Sequence, residues 1–167
     1  RVAGVLPNIS EAVVAMLAAT SLGAVWSSCS PDCGPRGVLE RFAQIEPRVL
    51  FVTNGYTYGG KTFSCIEKVE EIVRALPDLT CVVMVPYCAS IGSELSVKTP
   101  CLSWQHALAI DGHVDGGTDI EFAALPFNHP LYILFSSGTT GIPKCIVHGA
   151  GGTRLQHSRA LMRHAAQ

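Results

Sequence analysis

The sequence predicts an α/β domain, a mostly parallel sheet flanked by helices. Apolar runs such as Val49-Leu50-Phe51-Val52, Cys81-Val82-Val83-Met84-Val85 and Leu131–Phe135 show no in-out alternation, the pattern of strands covered on both faces. Segments with apolar residues at helical spacing lie between such runs, which indicates helices packed on a parallel sheet. Apolar residues make up 48% of the 167 and charged residues 15%, a core-forming composition and not a disordered one.

Each element follows from local signals. Val2-Ala3-Gly4-Val5-Leu6 reads as the first strand. Asn8 caps a helix, with Glu11 three residues on, and Val13, Met16, Leu17 and Thr20 follow helical spacing. Gly23 ends that helix and Ala24-Val25-Trp26-Ser27 forms a short strand. Arg36 to Ile45 reads as a helix with Val38, Leu39, Phe42 and Ile45 inward, closed before Pro47. After the Val49–Val52 strand, Thr62 to Leu76 is a second clear helix, capped by Thr62. Its stripe is Phe63, Ile66, Val69, Ile72, Val73 and Leu76, and Pro77 stops it. Cys81–Val85 is a buried strand. Tyr87 to Gly117 is weakly patterned, an insertion or surface connection with a short helix around Trp104 to Ala109. Leu131–Phe135 is the last strand read. There is no internal repeat, so one α/β domain, or part of one, is expected.

Composition narrows the function. The most apolar stretch, Ala12 to Trp26, is shorter than a membrane span and is broken by Thr20, Ser21 and Gly23. No signal-peptide pattern opens the chain. The start at Arg1, running straight into a strand, reads as a piece of a longer protein. Seven cysteines, an odd count scattered through apolar segments with no C-x-x-C pair, suggest buried thiols in a reducing compartment, the cytosol. Residues 1–121 hold eight Lys/Arg against all thirteen Asp/Glu, a net −5, whereas residues 122–167 hold Lys144, Arg154, Arg159 and Arg163 and no acid. A positive segment of that kind favours an anionic ligand. Nucleic acid is not expected, because aromatics do not interleave with the basic residues.

The segment that carries chemistry is Ser136-Ser137-Gly138-Thr139-Thr140-Gly141-Ile142-Pro143-Lys144. A buried strand leads into it. Gly138 and Gly141 permit turns that a side chain would obstruct, and the lack of bulk lets main-chain N–H groups approach an anion. Four hydroxyls add neutral donors, and Lys144 adds a mobile positive charge. A polar surface turn of small residues is the competing reading of the composition alone.

The string matches Ser/Thr-Ser/Gly-Gly-Ser/Thr-Thr-Gly-x-Pro-Lys and so resembles the phosphate-binding signature of the acyl-adenylate-forming superfamily, which includes acyl-CoA synthetases, luciferases and adenylation domains of peptide synthetases. Leu6-Pro7-Asn8, Gly23-Ala24-Val25-Trp26-Ser27-Ser28-Cys29-Ser30-Pro31-Asp32, Gly37–Phe42, Pro126–Leu131 and Lys144–His148 resemble the acetoacetyl-CoA synthetase branch in particular. Cys145 departs from the glycine that commonly follows the lysine. The resemblance implies part of a layered N-terminal domain, residues 1–167 being a partial AMP-binding domain without the C-terminal domain. It implies ATP, Mg2+ and coenzyme A as cosubstrates, with a small carboxylate, acetoacetate, as the acid. Ser136, Ser137, Gly138, Thr139, Thr140, Gly141 and Lys144 would hold the ATP phosphates. No catalytic residue and no protein metal ligand is expected in this chain, which alone should not complete the reaction.

A second phosphate-loop pattern competes. Gly55-Tyr56-Thr57-Tyr58-Gly59-Gly60-Lys61-Thr62 fits G-x-x-x-x-G-K-S/T between a strand and an expected helix. Tyr56 and Tyr58 are bulky for a loop that wraps phosphate, and the next strand ends in Pro86 instead of an Asp for metal. By resemblance to short-chain acyl-CoA synthetases, this loop lies where the nucleotide end of coenzyme A docks, with Lys61 and Tyr58 at the contact. A P-loop NTPase and a non-catalytic nucleotide-binding module are the alternative functions. His148 and His157 have no Ser or Cys nucleophile pattern beside them; a structural role is expected for them, and a core role for Trp26. Asp111, Asp115, Asp119 and Glu121 read as a solvated loop.

Overall fold

The computed structural model describes residues 1–109, 120–136 and 141–165. Seven strands form one sheet in the order β7-β6-β3-β1-β2-β8-β9. These are β1 Val2–Val5, β2 Trp26–Cys29, β3 Val49–Thr53, β6 Cys81–Val85, β7 Cys101–Ser103, β8 Pro130–Ser136 and β9 Lys144–Gly149. Every pairing is parallel except β8 with β9 at the edge. The other elements are α1 Ser10–Ser21, α2 Pro35–Phe42, the hairpin strands β4 Gly55–Tyr58 and β5 Lys61–Ser64, α3 Ile66–Ala75, α4 Trp104–Ala109 and α5 Ala150–Ala165.

The winding decides which helix covers which face. The chain steps from β1 to β2, then reverses to β3 on the far side of β1. Crossovers between parallel strands keep one hand, so a reversal moves the connecting helix to the opposite face. Val38 and Phe42 of α2 and Val69, Ile72 and Val73 of α3 accordingly share one core with Ala3, Val5, Leu50, Val52, Val82 and Met84. Ala15 and Ala19 of α1 and Trp104 of α4 pack on the other face, around Trp26, Phe51 and Tyr132. Trp26 is core, 6.1 Å from the Phe51 ring, and Gly4 makes room for it: a Cβ there would lie 2.9 Å from its indole. Ser27 ties β2 to β8 by donating its hydroxyl to the Ile133 carbonyl at 2.8 Å.

Several elements differ from the expectations, each for a physical reason. The Thr62–Leu76 helix begins at Ile66, and Lys61–Ser64 is a strand. Phe63 fits the helical stripe by spacing, but its ring stacks on Tyr56 across the hairpin at 5.2 Å, and Cys65 caps the helix without a side-chain bond. Asn8 does not cap α1; Ile9 occupies that position, again without a side-chain bond. The inner face of α1 is Ala15 and Ala19, while Val13 and Leu17 are exposed, because small residues let the helix sit close over Trp26. The second strand starts two residues later than expected, since Gly23 turns at φ 77° and the Ala24 N–H still bonds back to Ala19. Helix α2 ends at Phe42, and Gln44, Ile45 and Glu46 continue only as turn hydrogen bonds. The weakly patterned stretch after Tyr87 is anchored where it is described: Leu95 and Val97 pack on the core, and β7 extends the sheet. Helix α4 occupies the expected residues. The sequence signals did not mark β9 and α5. No helix among the described residues is long and apolar enough to cross a membrane.

Candidate functional site

Open parallel sheets bind ligands beyond the carboxyl ends of their strands. Strand β8 runs parallel to β2 and delivers Ser136 to that end. The chain returns along β9 with Lys144 directly opposite Ser136. Directly opposed residues in an antiparallel pair share a face with Cβ atoms about 5 Å apart. The side chains of Ser136 and Lys144 therefore leave the same face of the β8–β9 ladder. Ser137, Gly138, Thr139 and Thr140 lie outside the described residues, as do Asp111, Asp115 and Asp119.

The returning limb is held from below. Gly141 sits at φ 117°, a conformation that favours glycine. Pro143 is buried and Lys144 exposed. Gln44, just beyond α2, donates its Nε2–H to the Pro143 carbonyl at 2.9 Å and to the Glu40 carbonyl at 2.7 Å, and its Oε1 faces the Cys145 Sγ at 3.4 Å. The residues on either side of Lys144 are thus clipped to α2 while its side chain stays at the surface. Among the described residues Lys144 makes no ion pair. Such an arrangement can present positive charge and a hydroxyl to a polyanion without spending that charge on a carboxylate. The sequence could not reveal Gln44, because its two partners on the loop side lie about a hundred residues away.

The second phosphate-loop pattern forms something else. Gly55–Tyr58 and Lys61–Ser64 pair antiparallel, with Tyr58 opposite Lys61 across Gly59 and Gly60. Those glycines have φ 55° and 75°, as a two-residue type I′ turn demands. A P-loop needs its Lys-Thr at the start of a helix so that backbone N–H groups point at phosphate. Here Lys61 and Thr62 lie in a strand, and the helix starts only at Ile66. The hairpin tip presents Tyr58, 75% exposed, beside the exposed Lys61. Its base is pinned by Tyr56, over whose ring the Lys68 ammonium sits at 5.3 Å.

The remaining tempting residues are structural in their contacts. His148 packs against the Tyr132 ring at 5.0 Å. His129 pairs with the Gly23 carbonyl at 2.9 Å. All seven cysteines are free. No group of three or more His, Cys, Asp or Glu among the described residues could hold a metal ion.

Comparison with known proteins agrees with this architecture. The family model described as AMP-binding enzyme matches residues 1–165. Acetoacetyl-CoA synthetase of Macaca fascicularis is 48% identical over 164 residues, 98% of this chain and 24% of that protein. Malonamoyl-CoA synthetase of Penicillium aethiopicum is 46% identical over 166 residues, covering 97% and 22% respectively. The solved acetoacetyl-CoA synthetase of Streptomyces lividans superposes with a TM-score of 0.83 at 44% identity, covering 94% of this chain and 23% of that one. The chain thus spans about a quarter of the length of the relatives it matches. A match over nearly every residue, on a sheet that carries its glycine- and hydroxyl-rich segment between paired strands, makes this chain a member of the AMP-binding enzyme family.

Proposed function

We propose that the protein containing this chain joins acetoacetate to coenzyme A in two steps. The carboxylate attacks the α-phosphorus of ATP, forming the acyl-adenylate as pyrophosphate leaves. The thiol of coenzyme A then attacks the acyl carbon, forming the thioester as AMP leaves and the thiol proton passes to solvent. The observation that carries this reading is Lys144 opposite Ser136 at the carboxyl end of the sheet, bounding a segment of small and hydroxylated residues.

In this reading Ser136 to Thr140 and Gly141 surround the β- and γ-phosphates, and Lys144 neutralises the departing pyrophosphate. Magnesium enters as the complex with ATP, held by phosphate oxygens and water, as Mg2+ commonly is. The chain's work is positioning and charge stabilisation. Coenzyme A docks at the hairpin tip, where Lys61 meets its nucleotide phosphates and the Tyr58 ring lies alongside. Acetoacetate is supported by the names of the Macaca fascicularis and Streptomyces lividans enzymes, whereas the Penicillium aethiopicum enzyme is named for malonamoyl-CoA. The seven free thiols suit the reducing cytosol.

Carboxylate-dependent exchange of labelled pyrophosphate into ATP by the full-length protein tests the first step. Replacing Thr139, Thr140 and Lys144 together with alanine should lower exchange by about a thousandfold, the scale of lost preorganised donors. Undiminished exchange in that variant overturns the assignment of the loop.

A further inference from the structure

Asn54, in the bend between β3 and β4, is 1% exposed. Its side-chain amide is fully engaged. Nδ2–H groups donate to the carbonyls of Cys88 at 2.9 Å and Ile91 at 2.8 Å, with Ser93 Oγ at 3.3 Å. Oδ1 accepts the N–H groups of Tyr87 and Cys88, both at 3.0 Å. Two carbonyls on one side and two N–H groups on the other admit only one orientation of the amide. The Asn54 main-chain carbonyl also accepts the Cys65 N–H at 2.8 Å, where β5 gives way to α3.

This one residue therefore fastens three segments at one point: the end of β3, the base of the hairpin, and the stretch after β6. The fit there is tight. A Cβ on the neighbouring Gly55 would meet Ile91 Cδ1 at 2.6 Å and the Phe63 carbonyl oxygen at 2.7 Å. From that base the ladder runs Gly55↔Ser64, Tyr56↔Phe63, Thr57↔Thr62, Tyr58↔Lys61. At the strand rise the tip stands about 10 Å from the hub, so a tilt of about 10° at the base moves Lys61 by roughly 2 Å.

We propose that Asn54 is a positioning residue for coenzyme A: by fastening the Tyr87–Ser93 segment across the hairpin base, it sets the angle at which Tyr58 and Lys61 meet the cosubstrate. The inference rests on the reading that the hairpin tip docks coenzyme A. It adds a residue that touches no ligand and acts through a rigid ladder.

Pyrophosphate exchange does not require coenzyme A and serves as the internal control. In the full-length protein, Asn54→Ala should raise KM for coenzyme A about tenfold while exchange stays within about twofold, the mark of a displaced contact. A parallel fall in both activities with KM unchanged assigns Asn54 a structural role only and overturns the inference. Lys61→Ala in the same assays tests the underlying reading: an unchanged KM for coenzyme A there overturns the hairpin site itself, and the inference with it. A raised KM in Lys61→Ala beside an unchanged one in Asn54→Ala overturns the inference alone. Should Asn54→Ala fail to fold, hydrogen exchange of the unsubstituted protein decides. Coenzyme A should slow exchange at the Tyr87 and Cys88 amides at least about threefold, because stiffening the tip stiffens the hub. No change at those amides overturns the proposal.

Discussion

Cys29 shows how a single buried group sets a pH limit. It closes β2 on the side covered by α2. Burial, and next the neighbouring Cys33, pushes its thiol from 9.0 up to about 11, with Arg41 opposing. The folded state therefore holds the proton more tightly than the unfolded chain. The stability this contributes is complete below pH 9 and is lost as pH rises from about 9 to about 11, because the unfolded thiol ionises first. Cys29→Ala should make the alkaline loss of stability shallower by on the order of 2 kcal/mol over that window. The measurement is the urea midpoint of this domain in the full-length protein at pH 8, 9, 10 and 11. Identical pH profiles for the two proteins would refute the assignment. At this same scale Gln44 and Asn54 show what local sequence does not display. Ser136, Gly141 and Lys144 stand out as a motif because they fall within one nine-residue string. Gln44 and Asn54 work through partners reached by folding, and an isolated Gln or Asn carries no signal of that.

The hairpin β4–β5 shows why element type was partly legible. Its local composition, two glycines before Lys-Thr, satisfies a phosphate-loop pattern and a type I′ turn equally well. The strands β1, β3 and β6 were readable because burial on both faces makes an uninterrupted apolar run, whereas β8 carries the same kind of run with only Ile133 buried and Leu134 exposed. The hairpin lies outside the sheet, so its strands carry no such run, and Phe63 happens to fall in step with the α3 stripe. The glycines give a direct check on the observed turn. A β-branched residue at the φ 75° of Gly60 costs about 1–2 kcal/mol, whereas asparagine tolerates that conformation. Gly60→Val should open the hairpin and speed tryptic cleavage after Lys61 about tenfold, since cleavage follows the population of the open form. Gly60→Asn should cleave at the rate of the parent. Equal rates for all three proteins would exclude the turn as described. Strand β9 carries no such signal for another reason: Lys144-Cys145-Ile146-Val147-His148-Gly149 is an edge strand, with neither a buried run nor clean alternation.

At the scale of the whole molecule, the two ends of the sheet are built differently. Strand β7 is three residues long, follows Pro100 and presents little backbone, as short protected edges do. Strand β9 is six residues long, and among the described residues nothing pairs with its outer edge. Leu134 and Ile146, a cross-strand pair, are 47% and 45% exposed, and Val147 is 56% exposed. Leu155, Leu161 and Met162 of α5 and Val13, Val14 and Leu17 of α1 add further exposed apolar surface. An unpaired, partly apolar edge next to such patches is a template for association with another chain. The relatives this chain matches are about four times as long. Expressed alone, residues 1–167 should therefore elute above the 17.7 kDa of the monomer, with a mass that rises with concentration. Ile146→Lys and Val147→Lys together should reverse that, because charges on an edge strand oppose pairing. The full-length protein should show no comparable gain from the two lysines. Light scattering at increasing concentration measures all three, and a segment that stays monomeric at about 100 μM, where exposed apolar strands ordinarily associate, would show that β9 is not the exposed edge the fold presents.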